Sequence, residues 1–146
     1  MDLTKQHPRS AKETMAGLVS LARMTDKARA YNDGGLGEYH YDCPHDKPVL
    51  AFLGVDAATF AAHVKTLQTD QAIAKWVHDA LLRAKTPEQI AAFNAERRAW
   101  APEPGTPSAA FFEELRAKVA PGRSDVTTWF DLLDLDEGRT LEAVRA

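Results

Sequence analysis

Apolar residues in this chain recur every third or fourth position, in short segments cut off by glycine and proline. The β-branched, alternating runs of a sheet protein are missing. A strand buries every second residue and a helix buries one face at a period of about 3.6, so this pattern specifies short amphipathic helices. It predicts an all-α fold, a compact bundle of about seven short helices with one long polar loop at residues 33–46.

The stops and starts place the elements. Residues 1–9 read as a polar N-terminal arm ending near Pro8, and residues 10–146 as a single helical domain. Ser10 and Glu13 have capping-box spacing, which predicts a helix to about Asn32, bent or split at Gly17, with Leu18, Leu21, Ala28 and Tyr31 on one side. Asp33-Gly34-Gly35 ends it. A short helix follows Pro48, and Asp56 caps one whose stripe is Phe60, Val64 and Leu67. Ile73, Trp76, Val77, Ala80 and Leu81 give the next a clean buried face. Thr86-Pro87-Glu88-Gln89 is a strong start signal, with threonine at the cap, proline at the first helical position and glutamine closing a capping box. Arg97 lies on the stripe of that helix, placed to snorkel or to pair with an acid from a neighbour. Thr106-Pro107 opens a helix with Phe111, Phe112, Leu115 and Val119 inside, and a last helix starts near Asp125 and holds Val126, Trp129, Phe130 and Leu133.

Composition excludes several classes. The 18 Lys and Arg residues are scattered and the net charge is -3, unlike the basic stripe of a nucleic-acid binder or a protein of anionic membrane surfaces. No apolar run approaches the roughly 18 residues that span a bilayer. The N-terminus lacks the apolar core of a signal peptide. One cysteine cannot form an internal disulfide, so a reducing cytoplasm is the expected compartment.

The densest chemistry lies at residues 26–46, which hold the only cysteine, two of the five histidines and all three tyrosines. His40, Asp42, Cys43, His45 and Asp46 are metal-ligating types, but the cysteine lacks a second thiol and the histidines sit in a loop, so neither metal nor other cofactor is expected. Cys43 with His40 or His45 as base is a nucleophile arrangement if the imidazole reaches the sulfur. Arg23, Asp26, Lys27 and Arg29 crowd the first helix, and with Tyr39, His40, Tyr41 and Cys43 they form the expected ligand-binding set for a small anionic ligand or an acidic peptide. A salt-bridged helix surface explains the same charges. Asp131 and Asp134 share a face of the last helix and are expected to accept bonds from Arg23, Lys27 or Arg29. Gly34-Gly35-Leu36-Gly37 is no phosphate loop, since it lacks the Lys-Ser/Thr ending and follows a helix.

Several segments resemble one bacterial family. They are Asp2-Leu3-Thr4-Lys5-Gln6 with Pro8-Arg9-Ser10, then 26–31 and 36–39 on to Cys43-Pro44, 52–56, 86–94 and finally 121–138. In order and over nearly the whole chain, they are similar to the domain of unknown function 5069 family. The family pattern has proline near Ala22 and leucine at His45; the latter weakens any metal scheme that needs His45. The resemblance implies a small single-domain cytoplasmic bacterial protein and transfers no catalytic residue.

Three functions follow as expectations. The first is a binding module for a small anion or acidic peptide. The second is an interaction or structural protein, as a homodimer, whose charged motif locks the fold. The third is an enzyme in which Cys43 or His40 works beside Lys27 and Asp26.

Overall fold

The computed structural model describes residues 1–141. Among them are seven α-helices and one small hairpin: β1 (Thr14–Met15), β2 (Leu18–Val19), α1 (Leu21–Asp33), α2 (Lys47–Leu53), α3 (Ala57–Leu67), α4 (Asp70–Trp76), α5 (Pro87–Ala99), α6 (Pro107–Val119) and α7 (Trp129–Asp136). A π-helical turn, Val77–Leu81, extends α4. Residues 34–46 carry neither helix nor strand, as the polar loop required. No single helix among the described residues is long and apolar enough to cross a membrane. The chain divides into two units, Met1–Asn94 and Ala95–Ala146.

Local chemistry starts most helices where the sequence placed them. Thr86 N–H donates to Gln89 Oε1 at 2.8 Å and Gln89 N–H to Thr86 Oγ1 at 3.1 Å, a complete capping box. Asp56 accepts from Thr59 N–H at 2.7 Å, and Thr106 from Ala109 N–H at 3.2 Å. Pro48 occupies the first turn of α2, where its missing N–H has no helical role.

The first helix departs from expectation. It starts at Leu21 rather than near Ser10, because Ala16 (φ 51°) and Gly17 (φ 79°) both take left-handed backbone. Two such residues in succession make the tight turn that matches strand twist. Thr14 therefore pairs with Val19 and Met15 with Leu18. Ser10 and Glu13 form a turn instead of a helix cap: Glu13 N–H donates to the Ser10 carbonyl and Lys12 N–H to the Ser10 hydroxyl. The buried Asn94 of α5 completes the hairpin, accepting from Val19 N–H at 3.1 Å and donating to the Gly17 carbonyl at 2.8 Å. Asn94→Ala leaves a buried N–H without its acceptor and is expected to lower stability by about 1–3 kcal/mol in urea unfolding. A change below about 0.5 kcal/mol would show the clamp to be idle.

The core of the first unit joins Leu18, Leu21 and Met24 to Val49 and Leu53 of α2, Phe60 and Val64 of α3, Ile73 of α4 and Val77 beyond it. The N-terminal segment is pinned to this unit: Leu3 is buried and its N–H donates to the Gly35 carbonyl at 2.8 Å. A side chain at Gly35 would meet the Met1 carbonyl oxygen at 2.7 Å, so that close approach needs glycine. In the second unit Phe112, Val126, Trp129 and Leu132 form the cluster, with Trp100 and Leu115 packed on it.

Four expectations are corrected. Tyr31 and Phe111 are exposed, at 54% and 58%. Phe111 adjoins Phe112, a helical neighbour about 100° around the axis, and Phe112 takes the buried position. The last helix starts at Trp129, four residues late, because Thr128 caps it while Asp125 pairs with Arg123. Arg97 does not snorkel, and among the described residues it pairs with no acid. It is buried, with its guanidinium carbon 4.4 Å from the Trp100 ring centroid, and its Nε and Nη1 lack a protein partner.

Candidate functional site

Helix α1 carries four consecutive buried polar or charged residues, Arg23, Thr25, Asp26 and Lys27, interrupted only by Met24. A charge leaves water at a cost of several kcal/mol, so each needs a partner of opposite sign and good geometry. Two clusters in the first unit supply such partners for Asp26 and Lys27.

The first cluster centres on Asp26. Its Oδ2 accepts from the Arg9 backbone N–H (2.9 Å) and from Arg9 Nε (3.0 Å), and its Oδ1 accepts from Arg9 Nη2 (3.0 Å). Arg29 reaches the same Oδ1 at 3.5 Å, the three-residue spacing anticipated for that helix. Both arginines also meet Asp70 at the start of α4, Arg9 at 2.7 Å and Arg29 at 2.9 Å. Arg29 donates in addition to the carbonyl of Gln68, whose left-handed backbone (φ 68°) stands between α3 and α4. Arg23 donates to the Arg9 carbonyl at 3.2 Å and lies 5.7 Å from the Tyr39 ring centroid. Tyr39 hydroxyl and His7 Nδ1 are 2.7 Å apart.

Burial alone pushes the Asp70 carboxyl up, but hydrogen bonds from Arg9 and Arg29 outweigh it and hold the group below the ordinary carboxylate range. The Arg9 guanidinium is penalised by burial and more than restored by Asp26 and Asp70, ending above its usual value. A depressed carboxylate contributes stability above its unfolded-state pKa and loses it as pH falls through the folded value. Asp70 is about half exposed, at 48%, so the contribution is about 1 kcal/mol or less. Wild type is therefore expected to lose its small advantage over Asp70→Asn as pH falls below about 4, in acid titrations followed by circular dichroism. Parallel curves would refute the assignment.

The second cluster lies one helical position on. Lys27 Nζ is 2.8 Å from Asp46 Oδ2, and both side chains are 4% exposed. The same oxygen accepts from the backbone N–H groups of Asp42 (3.0 Å) and Cys43 (3.5 Å). Asp42 takes a left-handed φ of 62° to turn these groups inward. Cys43 is a partly buried residue whose Sγ accepts from Lys27 Nζ at 3.2 Å and faces Asp46 Oδ2 at 3.6 Å.

The anticipated residues are thus divided. Arg23, Asp26 and Arg29 meet around Arg9, with Tyr39 beside them. Lys27 and Cys43 meet around Asp46. Tyr41 belongs to neither; its hydroxyl donates to the Ala57 carbonyl at 2.7 Å, and burial first, then Asp46 and Asp42, pushes the phenol well above its usual value. His40 is exposed. The sulfur is held by a lysine and an aspartate, and of the two imidazoles considered as its base His40 is turned to solvent; Asp26 serves the arginines instead of Lys27. Among the described residues, no three His, Cys, Asp or Glu side chains gather as a metal site would require. Asp131 and Asp134 lie on α7 of the second unit, where Asp134 is buried 3.7 Å from Arg139. Arg9 and Asp70 were missed as site residues, although Arg9 stands in one of the segments that carry the family likeness; Asp46 was weighed only as a metal-ligating type.

These features describe a small helical protein whose richest polar segment is committed largely to buried ion pairs of its own. The chain belongs to the family described as a domain of unknown function, DUF5069, whose model matches residues 5–139. No curated protein matches it.

Proposed function

We propose that the protein is a structural or interaction module and that the charged motif locks its first unit instead of receiving a small anion. One observation carries this reading: Lys27, the cation best placed for a ligand by sequence, is spent on Asp46 at 2.8 Å with both groups out of water. An incoming carboxylate or phosphate would have to displace Asp46 from Lys27, or Asp26 and Asp70 from the two arginines. Each exchange strands a carboxylate inside the protein. The partner most consistent with such a module is a second copy of the chain.

Native mass spectrometry of the tag-free protein tests this. The expected spectrum is a dimer of bare chain mass. A retained small anion, lost on Arg29→Ala, would overturn the reading in favour of a binding module.

One observation favours that second reading. Arg29 and Lys65 flank an open groove of about 270 Å³ whose other walls include Asn32, Val64 and Gln68. Titration with inorganic phosphate, comparing wild type with Lys65→Ala, would reveal weak occupancy there.

A further inference from the structure

We propose that Cys43 and Lys27 form an oxidation site, at which peroxide joins the cysteine sulfur to the lysine nitrogen through a reversible S–N bond. The argument begins with arithmetic. A cysteine sulfenic acid is ordinarily resolved by a second thiol, and this chain has no other cysteine. The nucleophile held against the sulfur is an amine: Lys27 Nζ stands 3.2 Å from Cys43 Sγ, fixed there by burial and by Asp46. Cys43 is a partly exposed residue while the Lys27 side chain is 4% exposed, so a small oxidant approaches from the cysteine's side. Asp46 Oδ2 touches both reacting groups, 2.8 Å from the nitrogen and 3.6 Å from the sulfur, which places a proton acceptor where the lysine must lose one.

The steps balance. The Cys43 sulfur attacks one oxygen of hydrogen peroxide; the O–O bond breaks, water leaves, and the sulfur carries a hydroxyl. The Lys27 ammonium passes a proton to Asp46, freeing its electron pair. That pair attacks the sulfur, the S–O bond breaks, and the departing hydroxide takes a second proton from nitrogen to leave as water. Asp46 then releases its proton to solvent. The peroxide is reduced by two electrons, and the chain loses two hydrogens as the S–N bond forms. A dithiol reverses the bond: its first thiol attacks the Cys43 sulfur, the S–N bond breaks and the amine leaves with the thiol's proton; its second thiol then attacks the mixed disulfide, freeing the Cys43 thiol and leaving as a cyclic disulfide.

The product is a covalent tie between α1 and the polar loop, made from the ion pair that held them. It consumes the positive charge facing Asp46 and leaves that carboxylate with the Asp42 and Cys43 N–H groups. Oxidation would therefore exchange an electrostatic lock for a covalent one at the same place.

The test is peroxide treatment of the full-length protein, followed by intact mass and peptide mapping, then by dithiothreitol. The expected result is a loss of two hydrogens, a peptide joining residues 27 and 43, blocked trypsin cleavage after Lys27, and full reversal by the thiol. Lys27→Arg keeps the charge but not the amine and should instead gain oxygen on Cys43 without a link. Wild type that gains only oxygen on Cys43, takes up no modification, or links equally well in Lys27→Arg would overturn the proposal.

Discussion

Asp46→Ala is expected to destabilise the first unit by about 3–5 kcal/mol, the largest effect of any single polar change in the chain. The substitution strands the Lys27 ammonium, whose side chain is 4% exposed, with only a sulfur beside it. It also removes the acceptor for the N–H groups of Asp42 and Cys43, and so the reason for the left-handed turn at Asp42. Urea unfolding measures the loss. The companion variant separates a costly break from a valuable bond. A Lys27→Met, Asp46→Leu double change removes both charges together and should recover most of the stability, because a buried pair replaced by apolar groups of similar size is often neutral. A single-variant loss of about 1 kcal/mol or less would mean that the pair behaves like an exposed one.

Asp26→Ala is expected to cost about 3 kcal/mol and to act at a distance from its own position. Asp26 is the acceptor for three donors of Arg9, including its backbone N–H, so its loss unties the N-terminal segment as well as the arginines. Asp70 stays in reach of both guanidinium groups, which limits the damage relative to Asp46. Hydrogen exchange should register the untying directly: the Leu3 N–H, bonded to the Gly35 carbonyl, should lose protection in Asp26→Ala before the core amides do. Unchanged protection at Leu3 would show that the segment is held by apolar contact alone.

What could be read from sequence was mostly what happens within four residues. The Thr86–Gln89 capping box, the start of α2 at Pro48 and the Arg29–Asp26 contact are all local, and each stands where spacing put it. The hairpin was hidden because one glycine in a helical pattern reads as a bend; the left-handed Ala16 beside it has no compositional signal. The partners of the buried charges were illegible for a different reason. Arg9 meets Asp26 across 17 positions and Asp70 across 61, and no helical periodicity encodes such a pairing. The neighbours of Cys43 are a lysine from another element and Asp46, which sequence offered only as a metal-ligating type.

The Asn94 clamp also bears on how this chain is made. The hairpin leaves the ribosome before α5 does, and its Val19 N–H waits for an acceptor 75 positions later. Phe52 waits similarly for its stacking partner Phe93. A nascent chain that has not reached residue 94 holds these groups open, so the first unit can close only once α5 has emerged, and a chain stalled earlier presents unfinished surface to chaperones and proteases.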